Sequence, residues 1–360
     1  MPGTTPSSAE HSALFTPQQF DRLQEKADSK LIRTWRSKDR LTDMIMSIKD
    51  ADGKLMNVEY NCKGNEHVWD FETEEDTQEL LNWGHLTEIQ VSEHAQRVRM
   101  SEEYDYVYHA IPITEVMRDQ ADAKDKAAII RNYIDELKTS ANGHFSKKLN
   151  SRLASGTGVL SSVDGRRNRQ LTGYQTALQD TPSGTIYGIA RSNNTFVQNQ
   201  TLAGNGGSGS SFATDAIERN QVMIDLTTVD YDGEEHQANL GLAGKQTLRI
   251  LKQAYQAKID IQVTMVDKTS GMVGDFGTKA VVFEGIPFIR DSEISSSNNR
   301  LYYFDTRTWH LKSKYPKLFQ LEPPRTLEAM VGKDQVSCWK AKLAMICKFL
   351  PTNGVMTNTF

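Results

Sequence analysis

The sequence predicts an α+β protein built from more than one lobe, and three features carry that expectation. First, Ile130, Ile134, Leu137, Ala141, Phe145, Leu149 and Leu153 fall three or four apart, which makes a single apolar stripe along a helix over 122–153. Second, a shorter amphipathic helix over 243–256, with Leu248, Leu251 and Tyr255 on one side, is followed by strand-like runs at Ile259–Met265, Ala280–Phe283, Ile286–Ile289 and Leu301–Phe304. Third, two segments, 42–61 and 87–111, alternate with the period of a strand. The 360 residues exceed what one core usually needs, so two packed domains, or one with long extensions, are expected.

In chain order, residues 1–16 are small, polar and proline-containing, as in a tail. Thr16-Pro17 then opens a helix, a capping residue followed by proline at the first helical position, with Phe20, Leu23, Leu31, Ile32 and Trp35 on its apolar side. Over 42–61, Met44, Met46 and Ile48 alternate, Asp50-Ala51-Asp52-Gly53 turns, and Leu55, Val58 and Tyr60 follow, so a β-hairpin is expected. Over 87–111, Tyr104, Tyr106 and Tyr108 alternate with Asp105 and Val107, and an aromatic row on a strand needs something to pack against. A helix filling 122–153 would be about 48 Å long, and Gly143 would weaken it by about 1 kcal/mol, enough to allow a bend. Ser155-Gly156-Thr157-Gly158 ends it, and short strands and turns fill 159–200. The Gly/Ser-rich run 203–212 reads as a domain-scale hinge or surface excursion. Val336–Phe349 alternates only loosely, and Asn353-Gly354 marks a turn.

Charge and composition exclude several function classes. Lys and Arg number 42 against 46 Asp and Glu, a net charge of −4, so the basic surplus of a protein that coats nucleic acid tightly is missing. No run reaches the roughly 18 apolar residues of a membrane span, and the N-terminus lacks the basic-then-apolar pattern of a secretory signal. Cys62, Cys338 and Cys347 form no CxxC pair, and their odd number fits no disulfide framework; they read as reduced thiols.

Reaction chemistry is equally hard to place. The histidines (His11, His67, His85, His94, His109, His144, His236, His310) are scattered and make no HExxH spacing. Gly241-Leu242-Ala243-Gly244-Lys245-Gln246 has two residues between its glycines where a phosphate loop needs four, and Gln246 stands where that loop needs Ser or Thr; it reads as a loop entering a helix. No GxSxG elbow occurs, and the acidic run Glu72, Glu74, Glu75, Asp76 lacks EF-hand spacing. Glu102-Glu103 and Glu234-Glu235 read as surface pairs, and Trp35, Trp69, Trp83, Trp309 and Trp339 as core or interface anchors. No catalytic, cofactor-binding or metal-binding residue is assigned, and no cofactor is expected.

The C-terminal half carries a resemblance. Val281-Val282-Phe283-Glu284-Gly285-Ile286-Pro287-Phe288-Ile289-Arg290-Asp291, followed ten residues later by Leu301-Tyr302-Tyr303-Phe304-Asp305-Thr306-Arg307-Thr308-Trp309-His310-Leu311, resembles a run of tailed-bacteriophage major capsid proteins. Gly184–Asn199 is similar to their G-x-x-G-I-x-R segment, with Phe196 and Val197 where tryptophan is common. Ile113-Thr114-Glu115 is similar to the entry into their spine helix, and Lys340–Met356 to their last strand and turn.

That resemblance implies the Hong Kong 97-type fold. It divides the chain into an N-terminal arm (1–45), an extended hairpin loop region (46–112), a peripheral domain (113–215) on a spine helix (122–153), an inserted axial domain (216–317) and a return to the peripheral domain (318–360). It further implies a non-enzymatic shell subunit that self-assembles into hexamers and pentamers of an icosahedral head around double-stranded DNA. The DNA would be contacted weakly and non-specifically. A separate scaffolding protein, a portal and a decoration protein would be partners, with assembly in the bacterial cytoplasm and residence in the virion. The alternatives are an encapsulin-like cargo compartment of the same fold, which would self-assemble without scaffold, and an unrecognised hydrolase or carbohydrate-binding protein, which would be a small oligomer with a pocket.

Overall fold

The structure, a computed structural model, describes residues 40–49, 55–72, 97–113, 145–158, 160–163, 166–206, 211–231, 233–258, 281–295, 299–326 and 335–359. The helix expected after Thr16-Pro17, the strand at Ile259–Met265 and most of the long helix lie outside these residues. Among the described residues no helix is long and apolar enough to cross a membrane.

Two sheets organise the chain. The first is centred on β18 (Gln335–Cys347). β17 (Gln320–Thr326) and β16 (Trp309–Ser313) follow one another along one side of it, antiparallel, and β4 (Asp105–Ile113) runs along the other in a nine-residue register from Gln335↔Ile113 to Leu343↔Asp105. β1 (Val58–Glu59) adds a short parallel edge on β16. The loose alternation of the β18 sequence has a physical cause: Leu343, Ala344, Met345, Ile346 and Cys347 are all buried, so both faces are covered and both are apolar. Where β17 carries Pro323-Pro324 its register slips between Glu322 and Arg325, since proline donates no ladder hydrogen bond. The last turns of the expected long helix appear as α2 (Ser146–Ser155), with α1 (Arg40–Ile45) preceding it in the chain. Phe145, Leu149 and Leu153 are buried as the stripe requires, and Phe145 meets Phe319 and Trp339 of this sheet edge-on and tilted.

The second sheet has the order β13 (Val281–Phe283), β14 (Ile286–Arg290), β12 (Leu240–Ala243), β15 (Leu301–Phe304), β19 (Gly354–Thr357), β9 (Gln200–Ala203). α4 (Phe212–Thr227) and α5 (Lys245–Lys258) cover one face. The period of two sorts the side chains. Leu301 and Tyr303 of β15, Phe288 of β14 and Met356 of β19 pack toward the helices, while Tyr302, Phe304, Ile289 and Val355 pack into the core shared with the first sheet. Leu248, Leu251 and Ala254 are the buried face of α5.

Several expectations are corrected. Residues 40–45 are helical, not the first strand of a hairpin. Leu41, Met44 and Ile45 are three and four apart and all buried, and that stripe overrides the alternation of Met44, Met46 and Ile48. Within 97–113 the two described strands do not pair with each other. β3 (Arg97–Glu103) and β4 are separated by Tyr104 alone, too short a link to fold back, so each takes a distant partner: β3 pairs with β2 (Glu66–Glu72), and β4 with β18. The Gly/Ser-rich run joins β9 to α4, which pack together, so it is a connection inside one lobe and not a hinge between two. β19 lies between β15 and β9, where Val355 and Met356 each fill one of that sheet's two apolar faces.

Candidate functional site

The two quoted runs owe their glycines to turn geometry. In Phe283-Glu284-Gly285-Ile286, Glu284 (φ 48°) and Gly285 (φ 81°) both take left-handed backbone and join β13 to β14 in a two-residue hairpin turn. Tyr187 (φ 51°) and Gly188 (φ 83°) do the same between β7 (Thr185–Ile186) and β8 (Ile189–Ala190). Around the second turn, Arg191 is buried and donates to the Ala177 carbonyl at 2.6 Å. Asn199 bridges the Gln179 backbone, accepting from its N–H at 3.0 Å and donating to its carbonyl at 2.9 Å. Phe196 stacks on Phe71 of β2 with centroids 4.8 Å apart. Asp291, closing the first run, accepts the Tyr174 hydroxyl at 2.7 Å and the Glu293 N–H at 2.9 Å.

Between the sheets lies a polar junction. The chain leaves the six-stranded sheet after β15, crosses through Asp305–Thr308 into β16, and returns after β18 through the turn ending at Asn353. Asn353 is fully buried at that crossing. Its Oδ1 accepts from the Asp305 N–H (2.9 Å) and from Trp309 Nε1 (2.8 Å); its Nδ2 donates to the Phe349 carbonyl (3.0 Å) and to Thr308 Oγ1 (3.2 Å). Its carbonyl receives the Gln200 N–H at 2.9 Å, which ties in β9. The buried Asp305 carboxylate is held by His236 Nδ1 at 2.7 Å and by Arg307 Nε at 3.1 Å. The sequence marked Asn353 as a turn and gave no sign that it spans two strand connections.

Other titratable groups sit in apolar surroundings. His310 is buried with no hydrogen-bond partner at Nδ1, and burial, followed by the charges of Lys348, Lys312 and His67, lowers its pKa to about 3. Burial pushes the Cys347 thiol up to about 12, an inert core position. Cys62 and Cys338 are half-buried free thiols, as expected. Glu102 is not a surface carboxylate: it is buried and accepts from the Thr172 N–H (3.0 Å) and hydroxyl (2.9 Å), whereas Glu103 is half-buried and Glu234 and Glu235 are exposed. Trp309 and Trp339 are core anchors, as their residue type suggested. Among the described residues, no group of three or more His, Cys, Asp or Glu is placed to hold a metal. Gly241-Leu242-Ala243, expected as a loop, is instead part of strand β12, and Gly244 alone separates that strand from α5; only the helix start is as expected.

The outer face of β4 is different in kind. Asp105 and Val107 point inward, while Tyr106 and Tyr108 are exposed at 52% and 48%. Tyr104, expected in the same row, is buried, because it precedes the strand and faces the core. Lys342 Nζ lies over the Tyr106 ring at 3.8 Å from its centroid, and Lys148 Nζ over Tyr108 at 5.7 Å. Beside this strip a cleft of about 760 Å³ opens between β4 and α2, lined by His109, Lys147, Lys148, Ser151, Arg152 and Gln170. Arg152 is paired with Asp105 at 2.5 Å; burial pushes the Asp105 carboxyl up, and Arg152 opposes that.

No protein-family model matches the chain, and no curated protein does. Solved structures do. Over 89% of this chain and 93% of the other, the fold is similar to the cyanophage A-1(L) capsid asymmetric unit, with a TM-score of 0.56 and 15% sequence identity. Similarity extends to the holo-SrpI encapsulin complex from Synechococcus elongatus PCC 7942 (84% and 85% covered, TM-score 0.48, 9% identity). The virus-like particle from Pyrococcus furiosus is also similar (92% and 98% covered, TM-score 0.43, 8% identity). With two large sheets and packed helices among the described residues, and near full-length coverage of the cyanophage chain, the chain has the α+β Hong Kong 97-type fold of tailed-phage capsid proteins.

Proposed function

We propose that the chain is a major capsid protein, a structural subunit that assembles into hexamers and pentamers of an icosahedral head around double-stranded DNA. The observation that carries this reading is the near full-length fold likeness to a cyanophage capsid subunit. The surface agrees with it: β4 presents exposed tyrosines beside a basic cleft. A shell needs large shared surfaces, and many weak contacts close it by multivalency. The five-stranded sheet with α2 would be the peripheral body, the six-stranded sheet with α4 and α5 the axial body, and β2–β3 the base of the extended loop. The net charge of −4 suits a container whose DNA must leave again. A separate scaffold, a portal and a decoration protein are the partners this role calls for. The subunit would assemble in the host cytoplasm and reside in the virion.

Light scattering and negative-stain electron microscopy of the purified chain, alone and co-expressed with its neighbouring gene products, test the reading. Shells, tubes or ring-shaped capsomers are expected. Uniform shells that form alone around a co-purifying enzyme would move the role to a cargo compartment. A monomer or small oligomer in every preparation would refute a shell role.

A further inference from the structure

We propose that residues 57–62 form an acid-released clasp on the edge of the five-stranded sheet, opened by protons taken up in a cluster of two histidines, two lysines and one glutamate beside it. The inference concerns the single chain and does not rest on the shell reading. The clasp is lightly held. β1 contributes only Val58 and Glu59, paired in parallel with Leu311 and Lys312 of β16. Around them the Leu311 N–H donates to the Asn57 carbonyl (2.8 Å), and the N–H groups of Asn61 and Cys62 donate to the carbonyls of Tyr315 (3.2 Å) and Ser313 (3.1 Å). Val58 is the clasp's single buried apolar side chain, while Glu59, Tyr60 and Asn61 are exposed. A segment that buries so little apolar surface opens locally at a fraction of the cost of global unfolding.

The strand period puts the charges together. Trp309 and Leu311 of β16 face the core, so His310 and Lys312 share its other face, with Glu59 paired to Lys312. Lys348, whose N–H donates to the Thr308 carbonyl at 2.9 Å, follows the end of β18 beside them. His67, early in β2, stacks on Trp69 with centroids 5.7 Å apart. Among the described residues, the charged and titratable groups acting on His310 are Lys348, Lys312 and His67, and those acting on His67 are Lys312, Glu59 and Lys348. Two ammonium groups therefore face one carboxylate. His310 is buried and its Nδ1 meets no acceptor, so an imidazolium there would gain no hydrogen bond.

Burial first, and the lysines after it, hold both histidines below their ordinary value of 6.5, with Glu59 opposing at His67. Burial raises Glu59, but its bond to Lys312 and the charges around it outweigh that and hold it below 4.5. Opening the clasp returns these groups toward their ordinary values, so each then binds a proton that the closed form refuses. The closed form is fully favoured above pH 6.5, and acid draws the open one. Once open, the edge of β16 is bare, with backbone groups free to pair with another strand.

Hydrogen–deuterium exchange of the full-length chain, read peptide by peptide from about pH 7.5 to 4.5 and corrected for the intrinsic pH dependence of exchange, tests this. Protection of residues 55–65 and 309–315 should fall more than about tenfold between pH 6.5 and 4.5, with a ceiling of about a hundredfold from His310 alone. Peptides of β12 and β15 should keep their protection. In His67→Gln/His310→Gln the fall should largely vanish, and in Glu59→Gln residues 55–65 should already exchange faster at pH 7.5. No fall in the parent chain, an equal fall in the double variant, or unchanged exchange in Glu59→Gln would overturn the proposal. A fall shared equally by β12 and β15 would mark global unfolding and overturn the clasp as a separate unit. Each of these failures leaves the shell reading standing.

Discussion

Replacing Asn353 with alanine removes the side chain that ties the two strand connections together between the sheets. Two donors, the Asp305 N–H and Trp309 Nε1, lose their acceptor, and both belong to residues with no exposed surface, so no water replaces it. A buried donor left unpaired costs about 1–3 kcal/mol, so the pair costs roughly 2–6 kcal/mol. The acceptors of Nδ2 suffer less, because Thr308 Oγ1 keeps its bond to the Asp305 carbonyl. Set against the 5–15 kcal/mol typical of a folded domain, such a loss is large. Urea unfolding of the unassembled subunit, followed by tryptophan fluorescence, should show the midpoint falling with the slope unchanged. A loss below about 0.5 kcal/mol, the usual scale of a surface change, would refute the view that this junction holds the two sheets together.

Other outcomes follow from the same geometry. His310 protonates near pH 6.5 in the unfolded chain but only near 3 in the folded one, so its contribution is complete above pH 6.5 and is lost as the pH falls, by about 1.4 kcal/mol per pH unit. Urea midpoints of the parent chain should therefore drop faster between pH 6.5 and 4 than those of His310→Gln; parallel curves would contradict it. A Cβ on Gly241 would overlap the buried Phe288 ring, which has nowhere to go, whereas on Gly354 it would meet the mobile methyl end of Met223. Gly241→Ala should cost about 2–3 kcal/mol and more than Gly354→Ala in thermal melts, and the reverse order would be evidence against this packing. Tyr106→Ser with Tyr108→Ser should leave a cooperatively melting subunit that no longer assembles; normal particles from this variant would remove the β4 strip from the contact surface.

Much of the fold was legible because it is local. The β13, β14 and β15 strands and the helix α5 lie within about two residues of where apolar runs and helical spacing put them, and the buried Leu149 and Leu153 follow the stripe read for the long helix. What was not legible is partnership. Alternation says that Arg97–Glu103 and Asp105–Ile113 are extended, but it cannot say that one pairs with β2 and the other with a strand more than two hundred residues later. The 40–48 run held both a strand period and a helical one, and only burial of Leu41, Met44 and Ile45 decides between them. The junction around Asn353 and the cleft at Lys147 and Lys148 are assembled from residues far apart in sequence, so neither had a local signature.

The most direct test of the capsid reading is electron cryomicroscopy of the assembled chain, at a resolution that separates neighbouring subunits. Closed particles built from five- and six-membered rings, with the β2–β3 hairpin of each subunit lying on the next, are the expected result. A monodisperse monomer or dimer under every assembly condition, or particles whose subunits meet through neither the hairpin nor β4, would contradict it.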